Sequence, residues 1–206
     1  MRAAAVSLTS VPAGTASAVK ARLTAWRGVR ATGAVALAVG LLGVLAPSPA
    51  RAAQCANAGA GIDDARARQL AGAARCLINE DRAQRDLRRL GSDSRLRKTA
   101  ARHNEVMMRE GCWSHECPGE PDLEGRIRRS GYLDGASRWI YAENFGCAQT
   151  PRGMVSAWLN SAFHRENIRR AGFRDIGVAA VRDHPRGSPC SAATITFTVV
   201  FARRWG

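Results

Sequence analysis

WIYAENFGCAQTPRGMVSAWLNSAFHRENI, residues 139–168, carries the strongest local structural signals in the chain. It opens with three aromatic or β-branched residues in a row, at positions 139–141. Such residues favour a pleated, half-buried backbone, so the pattern predicts a buried strand that carries Glu143 and ends at Gly146. An acidic side chain is therefore expected at the end of an ordered element.

The second half of the segment predicts two short helices. Thr150 before Pro151 is a helix-start signal, because a hydroxyl caps free backbone N–H groups and proline at the first helical position loses no hydrogen bond. Met154 and Trp158 lie on one face of the helix that follows. A tight corner then presents His164 just before the second helix. This histidine and the glutamate of the strand are the two acid/base-capable side chains of the segment.

The first part of the chain has a different composition from the rest. Residues 1–52 contain six basic residues and no acidic one. Within them, an apolar run at 33–46 leads into PSPARA, a stretch of small residues of the kind found at signal-peptide cleavage sites. This pattern predicts a secretory signal peptide cut after Ala52. A membrane anchor is the alternative, but the apolar run is shorter than the ~20 residues that span a bilayer. Residues 53–62 are then a flexible lead-in, and residues 63–206 a single domain.

The charge balance argues against a nucleic-acid groove. The full chain has a formal net charge of +14 at pH 7. Removing the six basic residues of the leader from the 31 Lys and Arg leaves 25 against 17 Asp and Glu, a net charge of +8. This remaining excess is spread along the chain with no basic run longer than two. Such a distribution is typical of a solvated surface.

All six cysteines follow the predicted cleavage site, which favours disulfides in an exported chain. Cys112 and Cys117 flank a histidine, but their spacing matches no common zinc finger. A local Cys112–Cys117 bridge is therefore preferred to metal ligation. The sequence does not choose among the pairings of the other four cysteines.

Helical periodicity dominates the first half of the domain. Apolar residues at helical spacing predict a long helix from Asp63 to Leu90, with Gly72 as a point where it could break. A second helix is predicted over residues 94–110 and stops at Gly111. His103 lies on the apolar face of the second helix and is predicted to be a packed core residue bonded to a backbone carbonyl.

The second half of the domain is richer in strands. A loop over residues 111–121 leads into a short helix started by Asp122, and residues 173–181 and 195–201 have the composition of strands. Helices followed by strands and short helices predict an α/β (α+β) domain in which helices cover an antiparallel sheet.

Taken in order, these elements resemble those of the CAP superfamily of cysteine-rich secretory, antigen 5 and pathogenesis-related (SCP-like) proteins, and specifically its secreted bacterial branch. The residues that carry the resemblance are Ile78-Asn79, Arg82, Leu96, Ala100, His103, Met107, Ser114-His115, Arg126, Gly131-Tyr132, Glu143-Asn144, Trp158, Ser161, His164, Asn167-Ile168 and Ile176-Gly177-Val178. The resemblance implies a three-layer α-β-α sandwich with a central antiparallel sheet. It also implies a cleft in which His115, Glu143 and His164 fill three of four polar positions, with Ser161 in place of the family's second glutamate.

Two imidazoles in one cleft would suit a divalent cation, so His115 and His164 are candidate metal ligands, with zinc or another divalent cation as the cofactor. Glu143 is the candidate catalytic residue, as a general base, or alternatively the group that orients one imidazole. The chain has no HExxH and no G-x-S-x-G motif.

A secreted ligand-binding module is therefore preferred to the alternative, a metal- or Glu/His-dependent hydrolase acting on peptides or envelope components. The expected partner is an extracellular lipid, peptide or envelope component, with no nucleic acid and no membrane span after signal cleavage. A third interpretation makes the three polar residues purely internal and places function in surface loops such as residues 183–190.

Overall fold

The computed structural model describes residues 55–206, so the predicted signal peptide lies outside the described residues. The elements in chain order are α1 (Ala67–Ala83), β1 (Gly91–Ser92), α2 (Ser94–Glu110), α3 (Leu123–Arg129), β2 (Arg138–Ala148), α4 (Pro151–Asn160), α5 (Ala162–Arg169), β3 (Asp175–Val181) and β4 (Ile195–Trp205).

The strands form one sheet in the order β1-β3-β4-β2. β4 is central and pairs antiparallel with β2 on one side and with β3 on the other. The two-residue β1, which the sequence did not predict, adds a short parallel pairing at the outer edge of β3. The predicted antiparallel sheet is thus confirmed for its three long strands.

Helices cover both faces of this sheet, which gives the three layers expected. On one face α1, α4 and α5 pack on alternate residues of β4, the residues Ile195, Phe197, Val199 and Phe201. On the other face α2 and α3 pack on Val200 and Ala202. Alternate residues of β4 therefore belong to two separate cores, one on each side of the sheet.

The first helix is shorter than the predicted span from Asp63 to Leu90. At its start, the Asp64 carboxylate accepts a hydrogen bond from Gly61 N (2.8 Å) and so stabilises a turn instead of a helix. At its end, Asp86 adopts a left-handed backbone with φ 56°. Beyond it the chain folds back along α1, where the Asn79 side chain exchanges two hydrogen bonds with the backbone of Leu90 (2.8 and 3.1 Å).

Two other predicted boundaries also differ. β2 continues past Gly146 to Ala148. Gly146 does not end the strand; it leaves room for α4, since a Cβ there would lie 2.7 Å from Met154 Cε. His164 lies in the first turn of α5, not before it. The predicted bounds of α2 match the structure, with Asp93 as its N-cap and Gly111 at φ 61° as its stop.

Three disulfides hold the described chain: Cys55–Cys76, Cys112–Cys117 and Cys147–Cys190. The local bridge agrees with the sequence prediction. The segment 53–62 was expected to be flexible, but from Cys55 onwards the first disulfide ties it to α1, and Arg152 N donates to Ala58 O (2.9 Å). These contacts argue for an ordered segment. No helix within residues 55–206 is long and apolar enough to span a bilayer.

Candidate functional site

Glu143 is the centre of a buried polar cluster. It lies in β2 with its side chain 1% exposed, and both carboxylate oxygens accept hydrogen bonds from Arg126 (2.8 and 3.1 Å). His115 Nδ1 lies 3.0 Å from the same carboxylate. Burial alone would raise the pKa of Glu143, but the hydrogen bond from His115 and the charge of Arg126 outweigh it, and the pKa lies below its ordinary value. Glu143 is therefore a carboxylate at neutral pH.

His115 extends from this buried carboxylate to the surface. It lies in the loop closed by Cys112–Cys117, and its side chain is 54% exposed. The Phe145 ring packs edge-on against the imidazole at 4.6 Å, and Arg126 donates a hydrogen bond to the His115 carbonyl (2.8 Å). Ring and backbone are thus both held in place.

The tautomer of His115 follows from its partner. Because an ionised carboxylate only accepts hydrogen bonds, Nδ1 of His115 must carry the proton that is shared with Glu143. In the neutral imidazole, Nε2 then has a free lone pair. No described residue forms a hydrogen bond with that nitrogen. The arrangement presents one nitrogen ligand at the surface, oriented by a carboxylate behind it.

His164 approaches from the helical layer that contains α5. The side chain of Asn144, next to Glu143 on β2, donates to the His164 carbonyl (3.0 Å), and Asn167 Nδ2 donates to Asn144 Oδ1 (2.8 Å). Burial lowers the pKa of His164, and the charge of His115 lowers it further. The structure therefore joins the side chains of His115 and Glu143 directly, and it ties the backbone of His164 to β2 next to Glu143.

Two further members of the cluster were missed as site residues. His103 is fully buried, as predicted, but Nδ1 bonds the Glu120 carboxylate (2.6 Å) instead of a backbone carbonyl. Its Nε2 lies 3.8 Å from Glu143 and has no hydrogen-bond partner in the described chain. Burial lowers the pKa of His103 more than the nearby carboxylates raise it. The neutral imidazole, with one ring proton, is therefore favoured.

Arg126 is the other residue whose role the sequence did not reveal. It is 6% exposed, although charged residues are rarely buried unless paired. A signal was present: Arg126 adjoins Ile127 and follows Leu123 by three residues, so it borders the buried edge of the short helix α3. Nothing in that pattern, however, indicates that its partner is Glu143 on a distant strand.

The donor set limits the kind of metal site that is available. Within residues 55–206, two groups place three potential ligand atoms within 4.8 Å of one another: Cys55 with Cys76 and Glu80, and His103 with Cys117 and Glu120. Their cysteines are in disulfides, so they offer no thiolate. His115, Glu143 and His164 do not form such a three-atom group. A cation bound by both His115 and His164 would have only two protein ligands, so water or a bound ligand would have to complete its shell.

Ser161, which stands in place of the family's second glutamate, is the N-cap residue of α5, and its hydroxyl makes no capping hydrogen bond. It supplies no third charged ligand.

Sequence comparison identifies relatives of the chain. The model of the cysteine-rich secretory protein family, CAP, matches residues 76–201. YkwD of Bacillus subtilis (strain 168) is 33% identical over 109 residues, which are 51% of this chain and 40% of YkwD. The chain therefore spans less than half the length of this relative.

Two solved structures share the fold. One is an extracellular protein of Bacillus anthracis that contains an SCP domain, with a TM-score of 0.54 and 22% identity over 68% of this chain and 44% of that one. The other is an outer surface protein of Borrelia burgdorferi, with a TM-score of 0.53 and 22% identity over 64% of this chain and 90% of that one. At this identity the likeness concerns the fold alone.

Proposed function

The chain belongs to the cysteine-rich secretory protein (CAP) family, and from that premise we infer that it is an extracellular binding protein whose ligand site is the cleft of His115, Glu143 and His164. The observation that carries this proposal is the pairing of an exposed imidazole with a buried carboxylate. His115 is anchored at Nδ1 by Glu143 and leaves Nε2 as a fixed acceptor at the surface.

The ligand chemistry that fits this cleft is a divalent cation, with zinc the first choice for nitrogen ligands. A carboxylate that holds the second nitrogen of a metal-bound imidazole fixes its tautomer and raises its basicity. Glu143 meets this description for His115. With only two imidazoles from the protein, the cation would keep open positions for oxygen donors of an extracellular ligand.

The three disulfides support the extracellular assignment, since such bonds persist in oxidising compartments. The two relatives of known structure are described as extracellular and outer-surface proteins. A signal peptide in residues 1–52 accounts for export and remains a prediction from the sequence.

Hydrolysis is less well supported by the geometry. A general base must be free to take a proton from water or substrate. Glu143 has both oxygens occupied by Arg126 and one shared with His115, and its pKa lies below the ordinary value. All six cysteines are in disulfides, so no thiolate nucleophile is present in the described chain. The carboxylate serves better as an orienting group than as a base.

Calorimetric titration of the chelator-treated protein with Zn²⁺ tests the proposal. The expected result is one saturable site that is weakened at least about tenfold in His115→Ala and in His164→Ala. His184→Ala, in the loop between β3 and β4, is the matched control and should bind as the parent does. Absence of saturable binding, or equal binding by all three variants, would refute the cation site. Peptide and ester hydrolysis that disappears only in His164→Ala would instead favour the hydrolase.

A further inference from the structure

One edge of the sheet has no partner strand over most of its length. β1 pairs only with Asp175 and Ile176, whereas β3 continues to Val181. The strand order gives β3 no other neighbour on that side among the described residues. Residues 177–181 therefore have no strand partner on that side; Val178 is buried, whereas Ala180 and Val181 are partly exposed. A strand edge without a partner is a template for pairing with another chain.

The unpaired backbone groups belong to Val178 and Ala180. Asp93 N donates to Ile176 O (3.0 Å), so the carbonyl of Ile176 points outward, toward β1. The direction of these groups alternates along a strand, so the N–H and C=O groups of Val178 and Ala180 point to the same outer edge. No loop, helix or side chain of residues 55–206 forms a hydrogen bond with them. The intervening Gly177 and Ala179 face β4.

A cavity of about 390 Å³ opens onto this edge. α1 borders it with Ala71 and Gly72 and α2 with Ala101, so neither helix places a large apolar side chain over the strand. A second cavity of about 560 Å³ is also lined by Ala101 and Ala180. The second cavity is lined by no residue of α1 and contains Glu105 and Asp183, so the groove between α1 and α2 is the first cavity alone.

The first cavity is lined by three basic residues and no acidic one. Arg68 and Arg75 lie on one face of α1, and Arg97 lies near the start of α2. None of these arginines takes part in an ion pair with a described residue. Arg75 is half-buried in this unpaired state. The groove therefore combines free backbone groups with uncompensated positive charge.

We propose that this groove binds an extended acidic segment of a partner protein, which adds a strand to the free edge of β3. Backbone hydrogen bonds to Val178 and Ala180 supply the pairing, and side chains that alternate along the added strand reach the arginines on both helices. The small residues that border the groove leave room for the added backbone.

Charge decides between this occupant and two others. A second copy of the chain would bring its own Arg68, Arg75 and Arg97 against the same three arginines, which opposes edge-to-edge pairing. Residues 1–52 of the chain itself carry six basic residues and no acidic one, so they are equally unsuited. Acidic side chains in a partner segment complement the groove.

The probe is the capped peptide Ac-Glu-Glu-Val-Glu-Glu-NH₂, which places acidic side chains on both faces of the added strand, with Ac-Lys-Lys-Val-Lys-Lys-NH₂ as the control of equal length. Amide hydrogen exchange of the full, oxidised chain is followed by NMR with and without each peptide. We expect the acidic peptide alone to slow exchange at Val178 and Ala180 by at least about tenfold. The amides of Gly177 and Ala179, already paired with β4, serve as internal controls and should change little.

The arginines are tested by a charge-matched pair of variants. Arg75→Glu combined with Arg97→Glu should weaken peptide binding at least about tenfold in fluorescence anisotropy. Arg152→Glu combined with Arg128→Glu, on exposed surfaces away from the groove, should not. Unchanged exchange at Val178 and Ala180, equal binding of the basic peptide, or equal loss in both variants would overturn the proposal. Protection that grows with protein concentration without peptide would also overturn it and indicate self-pairing.

Discussion

Arg126 links the buried carboxylate of Glu143 to the exposed loop that carries His115. Its guanidinium binds both oxygens of Glu143 and the backbone carbonyl of His115, so one side chain positions the carboxylate and the loop in front of it. A buried charge that loses its partner is costly, whereas an exposed pair contributes little. The position of the exposed His115 imidazole therefore depends on Arg126, which is itself buried.

Replacing Arg126 by Met should lower the free energy of unfolding by about 3–5 kcal/mol, because Glu143 would keep a buried charge without its partner. Arg128→Met is the control on the same helix: its salt bridge to Glu124 is exposed (2.8 Å) and should be worth less than about 1 kcal/mol. Urea denaturation at neutral pH measures both. Similar losses for the two variants would mean that the buried network does not stabilise the fold.

His103 predicts how stability depends on pH. Burial lowers its pKa in the folded state, while the unfolded chain titrates near ~6.5. Below that pH the imidazole of the unfolded chain binds a proton, whereas that of the native protein stays neutral. The contribution of His103 to the free energy of unfolding is therefore fully present above pH ~6.5 and decreases as the pH falls toward the pKa of the folded state.

We expect this loss between about pH 7.5 and about pH 5.5 to be smaller in His103→Gln than in the parent. Denaturant unfolding at the two pH values measures the difference. An equal loss in both proteins would show that His103 does not contribute.

At this scale the sequence indicated the residue types but not their partners. His103 was correctly placed in the core from its position on the apolar face of α2. Its bond to Glu120, however, joins residues 17 apart through a loop whose path the local pattern does not specify. Glu143 and His115 were brought together only by resemblance to the family, because their contact spans 28 residues.

At the scale of elements, a close contact between the backbones of β3 and α2 fixes the position of α2 on the sheet. Gly177 of β3 has no room for a side chain, since a Cβ there would lie 2.1 Å from Arg97 N and 2.2 Å from the Leu96 carbonyl carbon. The N-terminal turn of α2 thus rests directly on the sheet. This contact sets the position of the helix that carries His103.

Gly177→Ala should therefore destabilise the protein by about 3 kcal/mol or more, because backbone must move to relieve the overlap. Gly72→Ala is the opposite case: nothing lies within 4 Å of its Cβ position, and alanine is favoured over glycine inside a helix by about 0.5–1 kcal/mol. Thermal or denaturant unfolding distinguishes the two. A stable Gly177→Ala protein would contradict the close contact between α2 and β3.

Helix α2 was predicted to its observed bounds because its signals are local, apolar residues at helical spacing and a C-terminal glycine. Helix α1 was predicted too long because its ends are set by tertiary contacts. The Arg82 guanidinium bonds the carbonyls of Arg88 and Ile168 (2.9 and 2.7 Å) and so holds the returning chain against the helix. Helical periodicity in a sequence cannot show such a reversal.

At the scale of the whole molecule, the disulfides agree with the prediction that the chain is exported. The Cys112–Cys117 pair was expected because the two cysteines are close in the chain. The other pairings were open, since Cys147–Cys190 joins β2 to the loop before β4 and depends on the sheet order. Disulfides form and persist in oxidising environments, which is where the predicted signal peptide would deliver the chain.

The exported protein should begin at Ala53, after cleavage of residues 1–52. Intact-mass spectrometry of the secreted form, before and after reduction, measures both the new N-terminus and the mass difference expected for three disulfides. Retention of residues 1–52 on the secreted form would contradict the predicted signal peptide. Free thiols in it would contradict the pairing.

The orientation of the His115 imidazole is the most direct test of the proposed cleft, and nitrogen NMR of the ¹⁵N-histidine-labelled protein measures it. The chain has only four histidines, so each ring can be assigned. We predict that His115 is protonated at Nδ1 without metal, and that Zn²⁺ shifts one ring nitrogen of His115 and one of His164 together while His103 and His184 stay unchanged. A His115 protonated at Nε2, or a Zn²⁺ response confined to the other two histidines, would contradict the account.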